Sequence, residues 1–414
     1  MRSTRFATIL AAAALAIAVS PITGCVKSGQ NATPEKLIII GGDFATSGGD
    51  ASAGVPTQNA AVLAIEDEAK TGLPGGYALR AQMEDDTVGG VHDAAQGVRN
   101  VQALLQDPRV LAIVGPQNSS VARAEIPVAN QAKIALISPS TTSVGLTDDA
   151  AGAAELRRDN PKLHTYFRTV LRDDMQGSAD ANFAFTRLDA RRAYVIDDDQ
   201  SYGKGIADVF ARSFARLGGV VIDRAHLSAA QQDFIPLLTR VEGAHPDLVY
   251  YGGVVSSGGA LLRRQMVKLG MKATFMGGDG IKEQGFIDGA GAAADGVYCS
   301  DGAPNLDALP SAAQFLREYA ARFPGQPVGT YSANAYAAAQ VAVEAIRRLM
   351  ERNGGVPPTR EEVARAIAAS TTPDTPLGSI AFTVDGDVTT PVVSMWTIRR
   401  GAFLFIEQER KALQ

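Results

Sequence analysis

The sequence predicts an α/β molecule of two lobes, each a parallel β-sheet flanked by helices. Short apolar runs recur along the chain and alternate with stretches whose apolar residues keep helical spacing. Such runs imply strands covered by helices on both faces. The alternation restarts after Asp173, and the body beyond residue 35 of the 414 exceeds one typical domain, so two sheets are expected.

In chain order, Leu37 to Ile40 is a buried strand ended by Gly41-Gly42. Val55 to Lys70 reads as a helix, Ala78 to Glu84 as a strand and Val91 to Gln106 as a helix. Val110 to Val114 is a strand, Val121 to Gln131 a helix and Ile134 to Ile137 a strand. The second set runs Ala179 to Leu188 (helix), Ala193 to Ile196 (strand), Gly205 to Leu217 (helix) and Val220 to Ile222 (strand). It continues with helix Phe234 to Val241, strand Leu248 to Tyr251, helix Ser257 to Leu269 and strand Thr274 to Met276. Three helices follow, Ala312 to Arg322, Ser332 to Arg352 and Arg360 to Ala369. Extended segments close the chain at Ile380 to Val384, Val392 to Arg399 and Ala402 to Ile406.

The N-terminus has the layout of a bacterial export signal. Arg2 and Arg5 precede an apolar stretch, Phe6 to Val19, too short to span a bilayer comfortably. Ile22-Thr23-Gly24-Cys25 then resembles a lipobox, which implies cleavage before Cys25, diacylation of its sulfur and a polar tether to residue 35. Loss of Arg2 and Arg5 takes the net charge from −5 to −7, and no basic block occurs, so nucleic acid is not an expected partner. With Cys25 lipidated, Cys299 has no disulfide partner, and its apolar run, Gly296 to Ser300, marks it as buried filler.

Catalytic patterns are missing. Gly41-Gly42-Asp43-Phe44-Ala45 lacks dinucleotide-binding spacing, Gly203-Lys204-Gly205 is a fragment of a glycine loop, and neither a P-loop nor a G-x-S-x-G elbow occurs. His92, His164, His226 and His245 show no metal-ligand spacing. The sequence therefore predicts no enzyme, metal or cofactor.

Binding fits better. In open α/β sheets ligands sit beyond the C-terminal ends of strands. Two consecutive strands end in Gly115-Pro116-Gln117-Asn118-Ser119-Ser120 and Ser138-Pro139-Ser140-Thr141-Thr142-Ser143, both rich in hydroxyls and placed before helix starts that suit a carboxylate. Simple helix capping by Ser119 and Thr142 is the plainer alternative. In the second half, Asp197 to Gly203 and Gly277-Gly278-Asp279-Gly280 follow strands. There Asp279 either satisfies a turn or faces an ammonium group, and Tyr202 either packs in a turn or closes over a ligand.

These residues give the chain its resemblance to the type 1 periplasmic binding proteins, in the leucine/isoleucine/valine-binding branch that serves ABC importers. It covers nearly all of residues 36 to 400 and rests on Ile113-Val114-Gly115 with Ser119, Ile137-Ser138-Pro139 with Thr142, and Phe167-Arg168-Thr169. Asp199 to Gly205, Asp247 to Gly253, Phe275 to Gly280 and Thr383 to Gly386 extend it. The resemblance implies that Ser119 and Thr142, with groups around Ser140 and Thr141, hold a ligand carboxylate. It implies that Asp279 meets the ammonium group and that Tyr202 covers the ligand from the second lobe. Val254-Val255 stands where some members have an aromatic pair, the Phe44 to Gly54 loop lacks a pocket aromatic, and a disulfide of some members is absent.

The implied fold is two Rossmann-like lobes joined by a three-strand hinge. Lobe 1 is expected at residues 36–171 plus 302–390 and lobe 2 at 172–301 plus 391–414, after a signal peptide over 1–24 and a tether over 25–35. The implied function is extracytoplasmic capture of a small amino acid, branched-chain or related, by a lipid-anchored protein that delivers it to an ABC permease. The alternative is a sensor of the same fold that binds amides or urea-type compounds.

Overall fold

The computed structural model describes residues 36–228 and 231–410; Cys25 and the expected export signal lie outside them. Among the described residues no helix is long and apolar enough to cross a membrane.

The first lobe is built from β1 (Leu37–Phe44), α1 (Ala51–Thr71), β2 (Ala78–Asp85), a hairpin of β3 (Thr87–Val88) and β4 (Val91–His92), α2 (Ala94–Leu105), β5 (Val110–Val114), α3 (Ser119–Gln131), β6 (Ala135–Ser138) and β7 (Tyr166–Arg168). Its sheet runs β2-β1-β5-β6-β7, all parallel. The second lobe takes α4 (Asp173–Thr186), β8 (Arg192–Asp197), α5 (Ser201–Arg216), β9 (Val220–His226), α6 (Ile235–Gly243), β10 (Leu248–Gly252), α7 (Gly259–Lys268), β11 (Thr274–Gly277), α8 (Gln284–Ala290) and β12 (Tyr298–Asp301). The chain then returns to the first lobe with α9 (Ala313–Arg322), α10 (Ser332–Arg352), α11 (Arg360–Ala369) and the pair β13 (Thr372–Thr375) and β14 (Gly378–Ile380). It ends in the second sheet with β15 (Val392–Arg399) and β16 (Ala402–Arg410).

The second sheet runs β16-β15-β12-β11-β10-β8-β9. It adds an antiparallel edge to the expected parallel strands, because β15 pairs antiparallel with both β12 and β16. For β15 and β16 the reason is local: the turn at Arg400-Gly401 is too short for a crossover, and only antiparallel strands can be joined so tightly.

The central strands of each sheet are buried on both faces, as parallel sheets require. Ile38 and Ile40 of β1 pack under α1 and α10, while Ile39 turns to the opposite core with Val101 of α2 and Ile126 of α3. In the second lobe, Val195 and Tyr250 face Phe210 of α5, and Val249 and Phe275 face Leu262 of α7 and Phe286 of α8. The Phe210 and Tyr250 rings stack with centroids 3.8 Å apart. Cys299 is fully buried, and that burial pushes its thiol pKa up.

The chain passes between the sheets after β7, after β12 and before β15. Leu171, Gly302 and Pro391, one from each passage, line a common crevice. In both sheets the strand order reverses beside a central strand, between β1 and β5 and between β8 and β10. Such reversals open a crevice outside the strand ends.

Candidate functional site

The cleft is assembled from strand ends of both lobes. After β5 the chain turns through Gly115, whose φ is +128° and where a Cβ would lie 2.2 Å from the Asp43 carbonyl oxygen; only glycine fits there. Asn118 is the N-cap of α3, so Ser119 is its first helical residue and not its cap. The first N–H groups of such a helix have no partner within it. Ser119 Oγ accepts from the Ser143 N–H at 3.3 Å, tying the two hydroxyl-rich loops together.

The second loop is held from below. Ser138 Oγ accepts from the N–H groups of Ser140 (3.2 Å) and Thr141 (3.0 Å) and donates to the Pro116 carbonyl at 2.9 Å. Ser140 Oγ donates to the Gln117 carbonyl at 2.8 Å. Arg168, fully buried at the end of β7, donates to the carbonyls of Thr141 and Ser143 at 3.1 and 2.9 Å and pairs with Asp387 at 2.6 Å. This explains why Phe167-Arg168-Thr169 and the segment around Gly386 stood out in the sequence: they clamp this loop. Thr141 Oγ1 bonds the Tyr166 hydroxyl at 2.5 Å, so its side chain serves the clamp. Thr142 Oγ1 is buried without a hydrogen-bond partner, and no α-helix follows it; its backbone carbonyl accepts from the Asp173 N–H at 2.9 Å.

From the second lobe, α5 begins at Ser201, which sets Tyr202 in its first turn. The Tyr202 hydroxyl donates to Asp279 Oδ1 at 2.5 Å and accepts from the Gly280 N–H at 3.1 Å. Gly280 has no room for a Cβ, which would lie 2.5 Å from the Gly253 carbonyl oxygen and 2.8 Å from the Tyr202 ring. Asp279 is 1% exposed, and its second oxygen makes no direct hydrogen bond. Burial pushes its pKa up to about 6, a rise held back by Tyr202 and then by the nearby Tyr331 hydroxyl and Gln176 amide. Asp173, also sealed from water, is raised well above the carboxylate range by burial and by the charge of Asp279.

The lobes meet across this cleft. Ser52 Oγ donates to Glu283 Oε2 at 3.1 Å, and Ser256 Oγ donates to Asp50 Oδ1 at 2.5 Å. Burial disfavours the Asp50 carboxylate, but hydrogen bonds from His92 and Ser256 outweigh it and lower its pKa. Between the lobes lies a cavity of about 30 Å³ lined by Ser119, Ser140 and Tyr202 together with Asp50, Ala53, Gln117, Glu283 and Tyr331. The structure thus gathers Ser119, Ser140 and Tyr202 on the cavity wall and sets Asp279 directly behind Tyr202. Thr141 and Thr142 sit behind the loop surface. Gln117 belongs to the strand-end loop the sequence pointed to but was given no role there, and Asp50, Glu283 and Tyr331 were not singled out by the sequence.

Elsewhere, Asp197, Asp199 and His226 approach one another closely enough to face one cation, but Arg224 pairs with Asp197 at 2.8 Å and Lys204 with Asp199 at 2.7 Å.

A family profile described as "Periplasmic binding protein" matches residues 38–399. The chain is 27% identical to the Leu/Ile/Val-binding protein BraC3 of Rhizobium johnstonii over 379 residues, covering 89% of this chain and 94% of that one. It is 28% identical to Leu/Ile/Val-binding protein homolog 1 of Brucella suis over 402 residues, covering 97% and 98%. Among solved structures it shares its fold with the LivJ branched-chain amino acid transporter substrate-binding protein of Streptococcus pneumoniae in complex with isoleucine, with a TM-score of 0.77, 24% identity and coverage of 91% and 100%. A solute-binding protein of R. palustris in complex with benzoate has the same fold, with a TM-score of 0.75, 18% identity and coverage of 91% and 97%.

Proposed function

Because this chain belongs to the periplasmic binding protein family, we propose that it captures a small amino acid, branched-chain or related, between its lobes outside the cytoplasm and delivers it to an ABC importer. One observation carries the reading. A sealed acid, Asp279, stands on one lobe behind Tyr202, and hydroxyls at the start of α3 stand on the other, with a small cavity between. A zwitterionic head group has the complementary charges. Its carboxylate suits Ser119, Ser140 and the N–H groups opening α3, with Thr142 behind them. Its ammonium suits Asp279, and Tyr202 covers it. Relatives named for leucine, isoleucine and valine support a ligand of that size.

We place the lobe boundaries at residues 36–171 plus 302–390 and 172–301 plus 391–414, and the membrane attachment at a lipid on Cys25. A thermal-shift screen against the common L-amino acids tests the function. A ligand present at 100 times its Kd adds about 2.7 kcal/mol if it binds only the native state. A melting temperature that none of them raises would sink the amino-acid reading. The sensor alternative, with an amide or urea-type ligand, draws support from the Asp279 pKa of about 6, since a carboxyl that is half protonated near that pH also serves an uncharged partner. Amides and ureas belong in the same screen for that reason.

A further inference from the structure

The head-group reading fills one part of the cleft, and a buried carboxylate, Glu283, stands where the rest of a ligand would run. Ala53 and Glu283 line both the small cavity and a neighbouring one of about 230 Å³, so the way from one to the other runs past these two side chains. Ala53, the first of them, leaves that way wide.

Glu283 is 9% exposed and accepts one hydrogen bond, from Ser52. No cation pairs with it among the described residues. Lys282, its neighbour, is already committed: its Nζ is 2.7 Å from Asp301 and 4.2 Å from the centre of the Trp396 ring. Asp50 is satisfied by His92 and Ser256. Independently, Gln117 is 6% exposed on the same wall and leaves its amide oxygen buried without a partner, as does Asn118 beside it. Glu283 is therefore a buried carboxylate with one donor and no cation among the described residues, beside amides whose oxygens lack a partner. An aliphatic side chain laid there would seal this carboxylate from water without a cation, and a buried charge without a partner is costly.

We infer that the ligand is an amino acid whose side chain ends in an ammonium or guanidinium group, held by Glu283 where the two cavities join. This rests on the amino-acid reading above and selects among ligands related to the branched-chain ones. The carboxylate meets the cation at the junction, and the larger space beyond Ala53 leaves room for the end group of a long side chain. Burial, and then the charge of Asp50, hold the Glu283 pKa well above the carboxylate range in the ligand-free protein, and a bound cation lowers it again.

The test is calorimetric titration of L-ornithine, L-arginine and L-leucine into the full chain and into Glu283→Gln, with melting curves of both proteins. The expected result is that one of the basic amino acids binds the unaltered protein at least about 30-fold more tightly than leucine. Glu283→Gln removes about that factor for the basic ligand and leaves leucine within roughly threefold. Leucine binding as tightly as the basic amino acids, or a variant that weakens all three alike, overturns the side-chain inference while the head-group reading stands. Silence with all three overturns the side-chain inference, and the wider amino-acid screen then decides the head-group reading.

Discussion

A carboxylate sealed from water holds its charge only if something nearby meets it. Asp279, with a pKa of about 6, meets Tyr202 through one oxygen and nothing directly through the other. Folded, it keeps its proton up to about pH 6; unfolded, it loses it near 3.8. The folded state is therefore favoured at low pH, and that advantage disappears as pH rises through this window. Above it, the buried charge costs about 3 kcal/mol. Asp279→Asn keeps the shape and accepts the Tyr202 hydroxyl, so it raises the melting temperature at pH 7.5 and loses that gain near pH 4. Affinity for an α-amino acid moves the other way, falling about 30-fold or more, because a desolvated ammonium loses its partner. Opposite signs for stability and affinity mark a residue kept for its ligand. A turn-capping aspartate gives lost stability and unchanged affinity instead, and that pair of results rejects the assignment.

At the scale of elements, the carboxylate-facing loop has no regular structure of its own and depends on Arg168. This guanidinium reaches from the end of β7 to the carbonyls of Thr141 and Ser143 and is anchored on Asp387, beyond Gly386. Arg168→Met leaves Asp387 buried and unmatched, with the hydroxyl of Thr147 as its remaining close donor besides the more distant Arg172. Such a loss typically costs about 3–5 kcal/mol, which urea unfolding measures directly. A change below about 1 kcal/mol dismisses the clamp.

The same elements show what the sequence made legible. Apolar runs long enough to cross the core were read to the residue, as in β5 and in the 21-residue α10. The helix expected from Val91 starts at Ala94, because Val91 and His92 pair with Val88 and Thr87 in a hairpin and Asp93 accepts from the Gln96 N–H as the cap. β7 and β12, of three and four residues, carry a charged end and escape any periodicity argument. The strand-end loops with Ser119, Ser140, Tyr202 and Asp279 stood out because topology places function there. Glu283, Asp50 and Tyr331 did not, since each acquires meaning only when two distant segments are brought face to face.

At the scale of the molecule, attachment and closure are separate questions. The motif ending at Cys25 predicts a lipid anchor, so Cys25→Ser releases the protein into the soluble fraction after membrane separation. A variant that still sediments with membranes places the anchor elsewhere.

Closure follows from how the cores are divided. The first sheet is buried with α1–α3 and α9–α11, and the second with α4–α8. Tyr331, at the start of α10, is packed into the second lobe's apolar cluster, while Ser52–Glu283 and Ser256–Asp50 are side-chain hydrogen bonds made across the cleft. Individual hydrogen bonds of this kind contribute about 0.5–1.5 kcal/mol net, and ordering the lobes opposes them. The closed arrangement is thus held by few contacts when the cleft has no occupant, and a ligand that touches Ser119 on one side and Asp279 on the other stabilises it by its differential affinity for that state. Small-angle scattering is expected to give a smaller radius of gyration with saturating ligand than without. Ser52→Ala removes one of the cross-cleft bonds, and so weakens affinity by roughly 2- to 10-fold while leaving the melting temperature of the ligand-free protein nearly unchanged. Equal radii with and without ligand, together with unaltered affinity in Ser52→Ala, make the cleft a rigid pocket and reject closure as the binding step.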